Sequence, residues 1–176
     1  MTQPGVQPGD VILVRTGSIA AWAIRLGAAI RDQPNLANHV AVLHHVDAHG
    51  TPWAIEGRPG GAGWRDARQY LASTWELDNA AQPKTAPQRA AVCKTMEALI
   101  GVAYDWRAIA ADAFTSFHLR LPGWDPQWRG TVPAHVVCSS LAAYAYAKAG
   151  LPCPAGDRSV TPGDWDSFVL TKAWER

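Results

Sequence analysis

The run His39-Val40-Ala41-Val42-Leu43-His44-His45-Val46 constrains this chain most. It is β-branched and apolar, which fits a pleated, buried surface, and Asp47-Ala48-His49-Gly50 behind it turns the chain. Trp53-Ala54-Ile55-Glu56 reads as the returning strand, so the two runs are expected to form an antiparallel hairpin. Val11-Ile12-Leu13-Val14, after the turn residues Gln7-Pro8-Gly9-Asp10, reads as a further short buried strand. Gly57 to Gly63 reads as a glycine-rich loop, followed by a short helix or turn near Asp66–Leu71 and a strand around Ser73–Leu77.

Helical patterns govern most of the rest. Ser18 is the expected N-cap of a helix from Ile19 to Ile30, and Asp32-Gln33-Pro34-Asn35 ends it. Pro87 opens a segment from Gln88 to Ile100, with Val92, Met96, Leu99 and Ile100 on one face. Tyr104-Asp105-Trp106 leads into a helix through about Phe117, and Leu121 to Pro133 is a Pro/Trp loop. Val137 to Ala149 is the strongest helix, closed by Gly150-Leu151-Pro152, and Thr161-Pro162-Gly163-Asp164 is another helix start or turn. Strands come first and helices later, which predicts an α+β fold with a small antiparallel sheet packed against helices. The 176 residues fit one domain spanning positions 1–176.

Composition excludes several functions. With 48% hydrophobic and 18% charged residues the chain is not of the disordered class, and a net charge of +1 gives no electrostatic footprint for nucleic acid. No apolar run approaches the about 20 residues that span a bilayer, because Arg25 and Arg31 interrupt the best candidate. Met1-Thr2-Gln3-Pro4-Gly5 lacks the basic and apolar segments of a secretion signal, so the expectation is a protein cytoplasmic as made. The three cysteines, Cys93, Cys138 and Cys153, form no CxxC pair and no even-numbered disulfide framework. No cofactor and no metal are expected.

Cys138 begins the Val137–Ala149 helix. The unpaired N–H groups and dipole of a helix N-terminus favour thiolate, and the same groups stabilise an oxyanion beside the sulfur. A cysteine nucleophile also needs an imidazole in reach and an acceptor to orient that imidazole. His39 and Glu56, on neighbouring strands about 4.8 Å apart, supply both if they share a face. The alternative is a Cys138 that is only a small buried hydrophobe. His135 is a rival base, expected at the rim. Cys93 falls mid-helix among alanines and is expected in the core, and Cys153 sits in a loop between prolines. Ser139 and Ser140 are expected as capping hydroxyls. Strand alternation puts His44 and His45 on opposite faces, so with His49 they read as solvated hairpin-tip residues rather than metal ligands with Asp47. Trp22, Trp53 and Trp64 suit a groove wall or core equally.

Pro8-Gly9-Asp10-Val11-Ile12, Asn38-His39-Val40-Ala41-Val42, Ala54-Ile55-Glu56, Tyr104-Asp105, Cys138-Ser139-Ser140-Leu141 and Thr161-Pro162-Gly163-Asp164 follow one another in that order. The ordered set resembles the circularly permuted branch of the NlpC-type papain-like cysteine peptidases and amidases, the YiiX-like proteins, in which the histidine strand precedes the nucleophile helix. The resemblance runs from about Gly9 to Phe168. It implies a papain-like fold, with Cys138 as nucleophile, His39 as general base and Glu56 as the residue orienting His39. Tyr104 and Ser139 are the expected oxyanion or substrate wall. The implied function is amide hydrolysis, with a peptide or peptidoglycan substrate. An acyltransferase or lipid-directed thiol hydrolase of the same fold is the first alternative. A non-catalytic structural subunit of a phage tail is the second. Virion association, with other tail subunits as partners, would reconcile wall chemistry with the missing signal.

Overall fold

The computed structural model describes residues 6–15, 37–70, 74–78, 84–105, 135–154 and 160–174. In chain order the elements are β1 (Val11–Val14), β2 (His39–Val46), β3 (Pro52–Arg58), β4 (Gly61–Asp66), a 3-10 turn (Ala67–Tyr70), β5 (Thr74–Asp78), α1 (Ala86–Ala98), β6 (Ala103–Tyr104), β7 (His135–Val136), α2 (Cys138–Lys148) and α3 (Pro162–Trp174). The expected helices at 19–30 and 106–117, the Pro/Trp loop at 121–133, and Trp22 lie outside the described residues.

Five strands form one sheet in the order β4-β3-β2-β1-β5, every neighbouring pair antiparallel. The β2–β3 hairpin and the α+β class agree with the sequence reading. Side-chain alternation splits the sheet into two faces. Val11, Leu13, Val40, Val42 and Ile55 pack with Val92, Met96 and Leu99 of the α1 segment and with Leu141 and Ala142 of α2. Ile12, Val14, Ala41, Leu43 and Ala54 form a second cluster with Ala67 and Tyr70. Each fully buried Val, Leu or Ile contributes about 1.5–3 kcal/mol by leaving water, so these two faces hold the sheet in place.

Two sequence expectations are corrected here. The Gly57–Gly63 stretch is not a loop: Gly57 and Arg58 finish β3, Pro59 and Gly60 make the turn, and Gly61 begins β4. Gly60 and Gly61 have φ of 102° and 109°, a region that glycine enters without steric cost. Ile100 does not extend the buried face of α1. That helix stops at Ala98, and Ile100 lies in the following turn at 39% exposure, while Val92, Met96 and Leu99 are buried.

Polar contacts fix the layers. The N-terminal cap of α1 is reciprocal, Thr85 accepting from the Gln88 N–H while the Gln88 side chain accepts from the Thr85 N–H. Asp10 accepts from the Gln7 N–H at 2.8 Å and pairs with Lys84 Nζ at 2.9 Å and Arg89 Nη1 at 2.8 Å, tying the entry to β1 onto α1. In α3, Trp165 Nε1 donates to the Ser139 carbonyl of α2 at 3.1 Å, and Asp166 accepts the Ala37 N–H at 2.8 Å just before β2. One helix therefore holds both the first turn of α2 and the approach to β2.

Candidate active site

The first turn of α2 supplies the sulfur. Val137 precedes it with extended backbone, φ −103° and ψ 164°, and has no side-chain cap of its own. Ser140 takes that role: its Oγ accepts the Val137 N–H at 3.1 Å. Ser139 is not a capping hydroxyl. Its Oγ donates to the Val160 carbonyl at 2.5 Å, and what it brings to the site is its backbone N–H, which favours the Cys138 thiolate.

His39 is the first residue of β2, paired with Val14 of β1. The β2–β3 register sets Val42 against Ile55 and Leu43 against Ala54; continued by one step, it sets Ala41 against Glu56. His39 and Glu56 are therefore same-face diagonal neighbours. Their contact is direct, His39 Nε2 donating to Glu56 Oε2 at 2.8 Å. With Nε2 engaged, Nδ1 is the ring nitrogen left for Cys138, whose sulfur lies close enough for its charge to couple to the imidazole. The structure thus brings Cys138, His39 and Glu56 into one neighbourhood, with His39 coupled to both of the others.

Electrostatics follow from that grouping. Burial alone would lower the His39 pKa, but the Cys138 charge and hydrogen bond, and then Glu56, raise it to about 10. Burial alone would raise the Cys138 pKa; the His39 charge and hydrogen bond, with hydrogen bonds from the backbone of Val40 and Ser139, lower it instead. Glu56 is 1% exposed, a position that would raise its pKa, yet His39, Tyr70 and Arg65 hold it below the ordinary carboxylate value. The pair favoured at neutral pH is thiolate with imidazolium.

The remaining expected residues divide. Tyr104 lies on β6 opposite Val136 of β7, half-buried, and burial together with the charges of Cys138 and Glu56 keeps its phenol protonated. His135 is placed by its backbone alone, on β7 opposite Ala103. Cys93 is half-buried rather than enclosed; its thiol approaches the His44 carbonyl at 3.8 Å, and burial pushes its pKa up to about 11. Cys153 is half-buried against the core, and burial raises its pKa as well.

His44 and His45 are not on opposite faces. A register shift between Leu43 and His45 breaks the alternation, so the two Nδ1 atoms lie 3.0 Å apart. His44 is no solvated tip residue either, since its Nε2 pairs with Glu97 of α1 at 3.0 Å and its ring meets Trp64 edge-on. Among the described residues no cluster of three or more His, Cys, Asp or Glu side chains is arranged to hold a metal. Trp53 is half-buried, its ring N–H donating to Asp47 at 3.0 Å, and Trp64 is 37% exposed.

Sequence reasoning missed three participants. The Tyr70 hydroxyl donates to Glu56 Oε2, Arg65 Nε lies 3.4 Å from Glu56 Oε1, and Gly57 packs against the Cys138 backbone. A signal for the first two existed: a buried carboxylate needs several donors, and one imidazole fills only one lone pair. Comparison with protein-family models, curated proteins and solved structures returned no match. Any functional assignment therefore stands on the residues themselves.

Proposed function

We propose that this chain is a cysteine-dependent amide hydrolase, with a papain-like, permuted NlpC-type order of functional residues, acting through a thioester acyl-enzyme. The observation that carries the reading is His39, hydrogen-bonded to a buried Glu56 and electrostatically coupled to Cys138 at a helix N-terminus. Such a set has the parts of an activated nucleophile: a thiolate, its imidazolium partner and a carboxylate that fixes the ring. A peptidoglycan peptide is the substrate class that the ordered motifs imply.

In this mechanism the Cys138 thiolate attacks the scissile carbonyl carbon, forming the C–S bond while the carbonyl oxygen takes up negative charge. The Cys138 backbone N–H, in the first turn and without an intrahelical acceptor, faces that charge. Collapse breaks the C–N bond, and His39 gives its proton to the departing amine. Water then attacks the thioester with His39 as base. The C–S bond breaks, the acid product leaves, and thiolate and imidazolium are restored.

The test is iodoacetamide labelling at about pH 6 with mass-spectrometric readout, beside muropeptide hydrolysis, because activated thiols titrate well below the ordinary thiol value. Cys138 should label ahead of Cys93 and Cys153, and His39→Ala should slow it. Cys138→Ala should abolish turnover. Equal labelling of the three thiols, or hydrolysis unchanged in Cys138→Ala, contradicts the assignment.

A further inference from the structure

Glu56 is contacted from three elements: it accepts hydrogen bonds from His39 of β2 and Tyr70 at the end of the 3-10 turn, and it pairs with the Arg65 guanidinium of β4. Their hydrogen-bond directions are fixed by chemistry. The Arg65 guanidinium lies 6.0 Å from the centroid of the Tyr70 ring, and a carboxylate has acceptors only. The Tyr70 hydroxyl therefore gives its proton to the hydrogen bond with Glu56 Oε2. That oxygen is the same one His39 Nε2 binds. The Arg65 guanidinium also lies 3.4 Å from the other carboxylate oxygen. With two hydrogen bonds on Oε2 and the Arg65 charge beside Oε1, Glu56 is held in one orientation, and it in turn holds His39 with Nε2–H toward the carboxylate, leaving Nδ1 for sulfur.

We propose that Tyr70 and Arg65 are positioning residues, a relay of one donor on the 3-10 turn and one charge on β4 that keeps Glu56 ionised and so sets the lower pH limit of Cys138 activation. The inference rests on Cys138 being the nucleophile. Without the relay, burial would act on Glu56 with less opposition, and the carboxyl would protonate at higher pH. A neutral Glu56 stabilises imidazolium less, so thiolate formation would retreat toward neutral pH. Were Tyr70 only a packing residue of the second cluster, its ring would matter and its hydroxyl would not.

The experiment measures Cys138 alkylation by iodoacetamide on the full chain from about pH 4 to 8, for wild type, Tyr70→Phe, Arg65→Gln and Arg65→Lys. Tyr70→Phe keeps the ring and removes the donor. Its acid limb should move up by about one pH unit, which is about tenfold slower labelling on that limb with rates converging near pH 8. Arg65→Gln should move the limb the same way, and Arg65→Lys should recover part of the shift. A folded Tyr70→Phe whose limb coincides with wild type, or whose rate falls equally at every pH, overturns the relay. Should Tyr70→Phe fail to fold, the Arg65 pair decides, and an unshifted Arg65→Gln overturns it. A wild-type Cys138 no more reactive than Cys93 and Cys153 brings down the nucleophile assignment and the relay with it. A reactive wild type with an unmoved Tyr70→Phe limb brings down the relay alone.

Discussion

Gly57 contributes empty space at the residue scale. A Cβ built there would stand 3.2 Å from the Cys138 nitrogen, 3.2 Å from the Val137 carbonyl carbon and 3.3 Å from the Cys138 Cα. These are backbone atoms, which cannot rotate aside. Gly57→Ala should therefore displace the first turn of α2 by a few tenths of an ångström and misalign sulfur and imidazole. A misplacement of about 1 Å can cost about 100-fold, so a loss nearer tenfold in Cys138 labelling is expected. Overpacking of this kind also costs about 1–3 kcal/mol, readable by urea unfolding. Gly63→Ala is the control: it lies opposite Glu56 in the register, but a Cβ there meets nothing within 4 Å. Equal labelling of both variants would show that the close approach of β3 to α2 is not critical. The helix-start position of Cys138 and the strand positions of His39 and Glu56 were legible because each follows from hydrophobic period and turn chemistry. Gly57 was not, since a strand glycine held for clearance and a loop glycine look alike in sequence. Tyr70 and Arg65 escaped because their role comes from a shared partner rather than from a spacing between them.

At the scale of elements, α3 joins the two halves of the site. Trp165 is fully buried, meets Tyr146 edge-on, and donates to the Ser139 carbonyl; its neighbour Asp166 holds the Ala37 N–H ahead of His39. Trp165→Phe retains an aromatic ring but leaves the Ser139 carbonyl without that donor. That carbonyl keeps its partner within α2, so the lost hydrogen bond costs about 0.5–1.5 kcal/mol, and the smaller ring adds a cavity. The expected result is a lower urea midpoint together with slower Cys138 labelling. A lower midpoint with unchanged labelling would mean that α3 stabilises the fold without aligning the site. The helix start at Thr161-Pro162 was readable from its turn residues, but its two anchors were not, because Ser139 and Ala37 are remote from it in sequence. The same distinction explains the histidines. The strand carrying His44 and His45 was evident from its β-branched run, whereas the register shift that turns them together depends on how β2 pairs with β3. Where pairing or packing sets a feature, local pattern carries no trace of it.

For the whole molecule, the Cys138–His39 pair should shape stability against pH. Ordinary values are 6.5 for the imidazole and 9.0 for the thiol. Between them the unfolded chain holds one proton, on sulfur, and the folded pair also holds one, on His39. Equal proton counts give no slope, so this pair contributes a plateau there. Above 9.0 the unfolded thiol loses its proton while His39, raised to about 10, keeps its own, and stability falls as pH rises through that value. Below 6.5 the unfolded imidazole gains a proton that the folded pair does not accept until the lowered Cys138 value is reached. Stability then falls as pH drops, at up to about 1.4 kcal/mol per pH unit for one proton. Glu56 acts in the same sense further down: its contribution is complete above the ordinary 4.5 and is lost as pH falls through its lowered folded value. Urea unfolding of wild type and Cys138→Ala across pH isolates the pair, since other titrating groups cancel in the difference. That difference should be greatest between about 6.5 and 9 and decline on both sides. A flat difference would show that Cys138 and His39 titrate independently, and would remove the electrostatic support for an activated thiol.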